Sequence, residues 1–269
     1  MDVAPGEPRR SNHPDHLHEG PRGQPAARSR AARSGIIFAA EFGEPGVLVR
    51  GVDALAASVK DAARASFVGA ASIVFGAAIE QVKSVHANRD GWREAIDDVA
   101  PDLPDALLTP TFFEAVYLQV VLPNVMTTAE QYATTLRRGR GVALDRAKRV
   151  LVWSVIEHYR KRARLCGQVS FAELAEISAA WLRERPEGDA PFADHILIDE
   201  GQDLVPSHWR LIRTLVTPAA NDVFIAEETH QRTYGQHVVL SRYGLKITGR
   251  LCRLTLNYRT TEENLRFAM

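Results

Sequence analysis

Between residues 110 and 185 apolar positions such as Val142, Leu144, Val150, Leu151, Val155 and Tyr159 recur at three- and four-residue steps, which predicts helices separated by short basic loops. One helix start is marked by Ser170 followed by Glu173, a pair that can satisfy two free amides of the first turn ahead of Leu174, Ile177 and Trp181. The pattern then changes. Pro186 to Pro191 is a turn-rich break, and His195 to Ile198 is a short apolar run that ends in two carboxylates, as a buried parallel strand would. A helix is predicted from Ser207 and a second buried strand over Val223–Ala226, and strand–helix–strand within about 35 residues indicates an α/β sheet. Upstream, helical spacing surrounds Asp53–Ser66 and an apolar run covers Phe67–Phe75.

Composition narrows the class without deciding it. The 269 residues are 45% hydrophobic and 25% charged, the profile of a globular protein of one or two domains. Thirty-three basic residues balance thirty-three acidic ones, so any polyanion site must be local. Only five of the basic residues are lysines, at positions 60, 83, 148, 161 and 246. Residues 1–35 carry five prolines, four glycines and six arginines with almost nothing apolar to bury, which predicts a disordered tail. Cys166 and Cys252 are too few and too far apart for a metal cluster or a disulfide framework. The two longest uncharged runs, Ala65–Ile79 and Ala115–Ala129, have 15 residues each and contain Gly69, Gly76 and Pro123, against about 20 apolar residues for a membrane span. The expectation is no membrane and a cytoplasmic location.

The chemistry concentrates after the two predicted strands. Asp199-Glu200-Gly201-Gln202-Asp203 sits where the first strand should end, the edge at which open α/β sheets bind ligands. Two adjacent carboxylates there can divide phosphoryl-transfer work, Asp199 holding Mg²⁺ through water and Glu200 orienting or deprotonating the attacking water. A solvated acidic turn is the competing reading. After the second strand, Gln231 can report a γ-phosphate by hydrogen bonding and Tyr234 can stack on a base of single-stranded nucleic acid, though both residue types are common on polar surfaces. Further on, Tyr258 beside Arg259 could pack a nucleobase and clamp a phosphate, while Thr260 or Thr261 ahead of Glu262 and Glu263 also suits a helix cap.

Taken in order, DEGQD, HQRTYG and LNYRTT resemble motifs II, III and the start of motif IV of the UvrD/Rep-type superfamily 1 DNA helicases. The likeness covers roughly residues 110–269, and RRGRG at Arg137–Gly141 with the Val150–Tyr159 helix resembles the helical insertion of such enzymes. The resemblance implies an α/β fold, a partial RecA-like P-loop NTPase lobe with a large helical insertion, and an ATP-driven motor on single-stranded or partly duplex DNA. By motif, Asp199 would ligate Mg²⁺, Glu200 would activate water, and Gln202 and Gln231 would couple the γ-phosphate to lobe movement. Tyr258 would stack near the adenine, Arg259 would reach the γ-phosphate, and Tyr234 would lie towards DNA. Arg137, Arg138 and Arg140 could touch phosphates or form a basic surface loop.

The sequence also departs from that family. None of the five lysines stands in a Walker A loop: Lys83 alone precedes a serine, and its surroundings lack the glycines. Glu228 occupies the place where motif III usually carries aspartate. The departures predict a truncated family member with its activity impaired or lost, and either a substitute strand from residues 36–80, Ser72–Phe75 being a candidate, or a compromised fold. The alternatives are a non-enzymatic DNA- or partner-binding remnant, or one subunit of a split helicase completed by a separately encoded chain. The expected organisation is a tail over 1–35, a mainly helical region over 36–190, the lobe carrying motifs II and III over 191–244, and the start of a second lobe over 245–269.

Overall fold

The computed structural model describes residues 35–85, 89–135, 144–186, 191–228 and 239–252. The expected tail before residue 35, the basic loop Arg137–Gly141 and most of the expected second lobe lie outside them.

Two compact units divide the chain, Met1–Gly51 and Val52–Met269. The described part of the first is a tight loop in which Ala39 N–H donates to Val47 O and Val47 N–H donates to Ile37 O. Gly46 permits this closure: its φ is +128°, and a Cβ there would stand 2.7 Å from Ile37 O.

In the second unit, α1 (Val52–Ala63) and α2 (Phe67–Phe75) follow the predicted helical pattern, with Ala56 and Val59 of α1 and Phe67, Ala70, Ala71 and Val74 of α2 buried. Ser72–Phe75 is therefore helix and not the substitute strand. Its apolar residues form one helical stripe, and Gly76, left-handed at φ 65°, ends the helix. Next come β1 (Lys83–Val85), α3 (Arg89–Val99), α4 (Pro110–Val116), a π-turn over Tyr117–Val121 and α5 (Ala129–Thr134). The 20-residue α6 (Arg146–Leu165) leads into β2 (Gln168–Ser170) and α7 (Phe171–Arg183). The region predicted as mainly helical thus contains a parallel β1–β2 pair, with Lys83 opposite Gln168. Three-residue strands containing Lys83, Ser84 and Gln168 give no apolar run for a sequence pattern to register.

The helix α7 is the hub, packing against α1, α2 and α8 (Pro206–Leu215). It is buried nearly all round, as a central helix must be. The capping box expected at its start is present: Ser170 Oγ accepts from Glu173 N–H, and Glu173 Oε2 accepts from Ser170 N–H at 2.7 Å. Glu173 Oε1 takes a third bond, 2.5 Å from the buried Tyr117 hydroxyl, and burial together with that carboxylate pushes the Tyr117 phenol well above its ordinary range. Arg160 of α6 is 4% exposed and donates to Met126 O at 2.6 Å and to Val74 O at 2.9 Å, tying three segments together.

The strand–helix–strand unit is also present, as β3 (Ile196–Ile198), α8 and β4 (Val223–Ile225). The strands pair in parallel, Ile196 opposite Val223 and Ile198 opposite Ile225. One face, with Ile196, Ile198, Val223 and Ile225, packs on Trp209 and Ile212 of α8 and on Leu245. The expectation of full burial does not hold: on the other face Leu197 is 78% exposed and its partner Phe224 64%. An unbroken apolar run fits a strand covered on both sides or on one, and α8 covers one. The described residues are mixed helix and strand, mainly helical, with two separate two-stranded parallel sheets. No helix among those residues is long and apolar enough to cross a membrane.

Candidate functional site

Parallel strands present their carboxyl ends on one edge, and here that edge carries the acidic segment. The ladder continues past both strands: Ala226 N–H donates to Ile198 O at 2.8 Å, and Gly201 N–H donates to Ala226 O at 2.9 Å. Between these bonds the chain reverses through Glu200, whose φ of 53° and ψ of 42° are left-handed, into a 3₁₀ turn over Gly201–Asp203. A non-glycine residue held there stores about 1–2 kcal/mol of backbone strain. Gly201 is required by proximity: a Cβ would sit 2.9 Å from Ile225 Cγ2, 3.4 Å from Ala226 O and 3.5 Å from Trp209 Cη2.

The turn orders the side chains. Asp199 Oδ1 accepts the N–H of Glu200 at 3.0 Å, so this carboxylate stays at the strand end. Gln202 extends its amide in two directions, Nε2 donating to Glu200 Oε2 at 2.5 Å and Oε1 accepting the N–H of Glu228 at 2.9 Å. The two segments that follow β3 and β4 are thereby joined through one neutral side chain. Asp199, Glu200, Asp203, Glu227 and Glu228 are all exposed at this edge.

No group of three or more metal-ligating side chains occurs among the described residues. The donor set nonetheless suits a hard, hydrated cation, since Mg²⁺ is usually held by one or two carboxylates with water and phosphate oxygens completing the shell. Asp199 and Glu200 supply such carboxylates. Of the residues singled out in the sequence, the structure brings together Asp199, Glu200 and Gln202. Gln231, Tyr234, Tyr258 and Arg259 lie outside the described residues.

The chain matches no protein-family model and no curated protein.

Two features of this edge escape sequence reasoning. Gly201 reads as turn chemistry, whereas its cause is the close approach of Ile225. The Glu228 side chain attracts notice in the sequence, but its backbone N–H makes the cross-link. A third cluster, Arg183, Arg210, Arg213 and Arg242, draws on three stretches of chain, and its only advance signal is the preponderance of arginine over lysine.

Proposed function

We propose that this chain is a UvrD/Rep-like helicase by descent and that the Asp199–Glu200 edge is a hydrolytic half-site for Mg²⁺–ATP, with translocation on single-stranded DNA as the function of the complete motor. The observation that carries the reading is the Gln202 bridge: it joins the carboxylate offered as water activator to the chain that follows β4. A coupling between phosphate and moving parts needs such a connection, because a change at the γ-phosphate has to reach the segment leading onward from the second strand.

In this reading Asp199 would hold the Mg²⁺ ion through water, and that ion, when bound, would neutralise charge building on the phosphates. Glu200 would accept a proton from the attacking water at its carboxylate, and Gln202 would fix the direction of that carboxylate. Gln231 and Arg259 would contact the γ-phosphate, Tyr258 the adenine, and Tyr234 the DNA. Glu228 replaces the aspartate of motif III with a side chain one methylene longer. The loop that cradles the β-phosphate has to come from other sequence, either a further stretch of polypeptide or a second chain. A partial RecA-like lobe is the fold this reading implies for the β3–α8–β4 unit.

The test is binding of a fluorescent ATP analogue to the purified chain with and without Mg²⁺, against an Asp199→Ala/Glu200→Gln double variant. Magnesium-dependent binding that the double variant loses supports the half-site. Absence of binding up to about 1 mM nucleotide, the weak end of specific affinities, overturns it for this chain alone.

A further inference from the structure

Four arginines from three elements surround one cavity of about 430 Å³: Arg183 in the last turn of α7, Arg210 and Arg213 on α8, and Arg242 in the 3₁₀ turn Leu240–Tyr243. Asn124 and Tyr243 complete the part of the lining that matters here. Like charges gathered in a concave wall repel unless something answers them. Some of the charge is answered from beneath. Glu176 of α7, with a side chain 0% exposed, lies 2.9 Å from Arg210 Nε and 3.7 Å from Arg183 Nη2. Asp222 lies 2.7 Å from Arg213 Nη1. Two backbone carbonyls take further donors, Pro123 O from Arg210 Nη1 and Val216 O from Arg213 Nη2.

What remains is an excess. Three carboxylates, Glu176, Glu184 and Asp222, face four guanidinium groups. Among the described residues the buried Nε of Arg213 has no hydrogen-bond acceptor. Burial first, and then the neighbouring Arg210, weaken the hold of Arg183 on its proton, while Glu176 and Glu184 oppose them. Guanidinium groups are weakly hydrated and offer planar forks of donors that match phosphate oxygens, and the cavity has the volume of a small-ligand site.

The cavity is also separate from the carboxylate edge. Asp222, the partner of Arg213, immediately precedes β4, and Val216 bridges to Ala193 just before β3. These groups mark the amino edge of the β3–β4 pair, whereas Asp199 and Glu200 follow its carboxyl edge, roughly 10 Å away along three-residue strands.

We infer that this cavity is an anion site that binds a phosphate group, carried either by a free compound of mononucleotide size or by a nucleic-acid backbone. The inference goes beyond the nucleotide half-site and does not depend on it.

Calorimetric titration of the full chain with inorganic pyrophosphate, in EDTA and low salt, tests the site without supporting the magnesium-dependent edge. Saturable binding is expected, weakened roughly tenfold or more by Arg242→Glu and by raising salt, which screens charge. Arg242 is exposed and outside the core, so the variant folds, as circular dichroism will verify. The Asp199→Ala/Glu200→Gln variant should bind pyrophosphate as the wild type does, which separates failure of this site from failure of the half-site. Parallel titrations with AMP and with a short single-stranded oligonucleotide identify the carrier: tighter oligonucleotide binding assigns a nucleic-acid backbone, and the reverse assigns a free phosphate compound. No saturable binding of any probe up to about 10 mM, or binding that a folded Arg242→Glu variant retains in full, overturns the inference.

Discussion

The side-chain oxygen of Gln202 accepts the backbone N–H of Glu228 at 2.9 Å, which ties the turn after β3 to the segment after β4. Replacing Gln202 with Ala removes that bond and the one to Glu200. The edge is exposed, so the cost in stability should stay within about 0.5–1.5 kcal/mol. The Glu228 amide should exchange with solvent markedly faster, measured by hydrogen–deuterium exchange, while amides within β3 and β4 keep their protection. Under the proposed function the variant also loses affinity for Mg²⁺–ATP.

Gly201→Ala should be more damaging than its size suggests. The new methyl would meet Ile225 Cγ2 at 2.9 Å with Trp209 close behind, and the bond from Gly201 N–H to Ala226 O would have to stretch. A loss of about 1–3 kcal/mol is expected, the usual range for an overfilled core. Urea denaturation will measure it as a lower midpoint at unchanged slope.

Arg160 gives the largest expected effect away from the site. Its guanidinium satisfies Val74 O and Met126 O and lies 5.1 Å from the centre of the Phe75 ring. Arg160→Ala leaves buried carbonyls without donors and should cost about 3 kcal/mol or more. Arg160→Lys should recover little, because a single ammonium does not reproduce the fork. Thermal melts of the two variants decide this.

Asp222 links stability to acid. The bond from Arg213 holds its carboxyl below the ordinary range, helped by the N–H groups of Ala219 and Val223 and opposed by burial. A depressed folded value means that the contribution is fully present above the unfolded value of about 3.9 and disappears as pH falls through the lower folded one. Asp222→Asn should therefore destabilise the protein at neutral pH, and its deficit relative to wild type should shrink on acidification. Denaturant midpoints measured at neutral pH and near pH 2–3 test the sign.

Sequence legibility follows how local each cause is. The Ser170–Glu173 box depends on residues three apart, and the β3–α8–β4 unit depends on runs bounded by Pro186–Pro191 and by the acidic turn; both are readable. So is the placement of Asp199, Glu200 and Gln202 at a strand end. The exposure of Leu197 and Phe224 is not readable, because an apolar triplet does not say how many of its faces are covered. The absence of a Walker A strand points to Ser72–Phe75 as a substitute, but those residues share a helical stripe that runs back to Phe67 and belong to α2. The arginine cavity joins Arg183, Arg210 and Arg242, whose adjacency exists only once α7 and α8 are packed.

The pairing of β1 with β2 is the contact expected to form late in folding. Lys83 finds Gln168 across the whole stretch holding α3 to α6, so this ladder has nothing to stabilise it until the intervening helices have shortened the path between its ends. The bond from Lys83 N–H to Gly167 O is the contact on which this expectation can be timed. In pulse-labelled refolding its amide should gain protection after those of α6, and the interval between them measures the time the chain needs to close that ring.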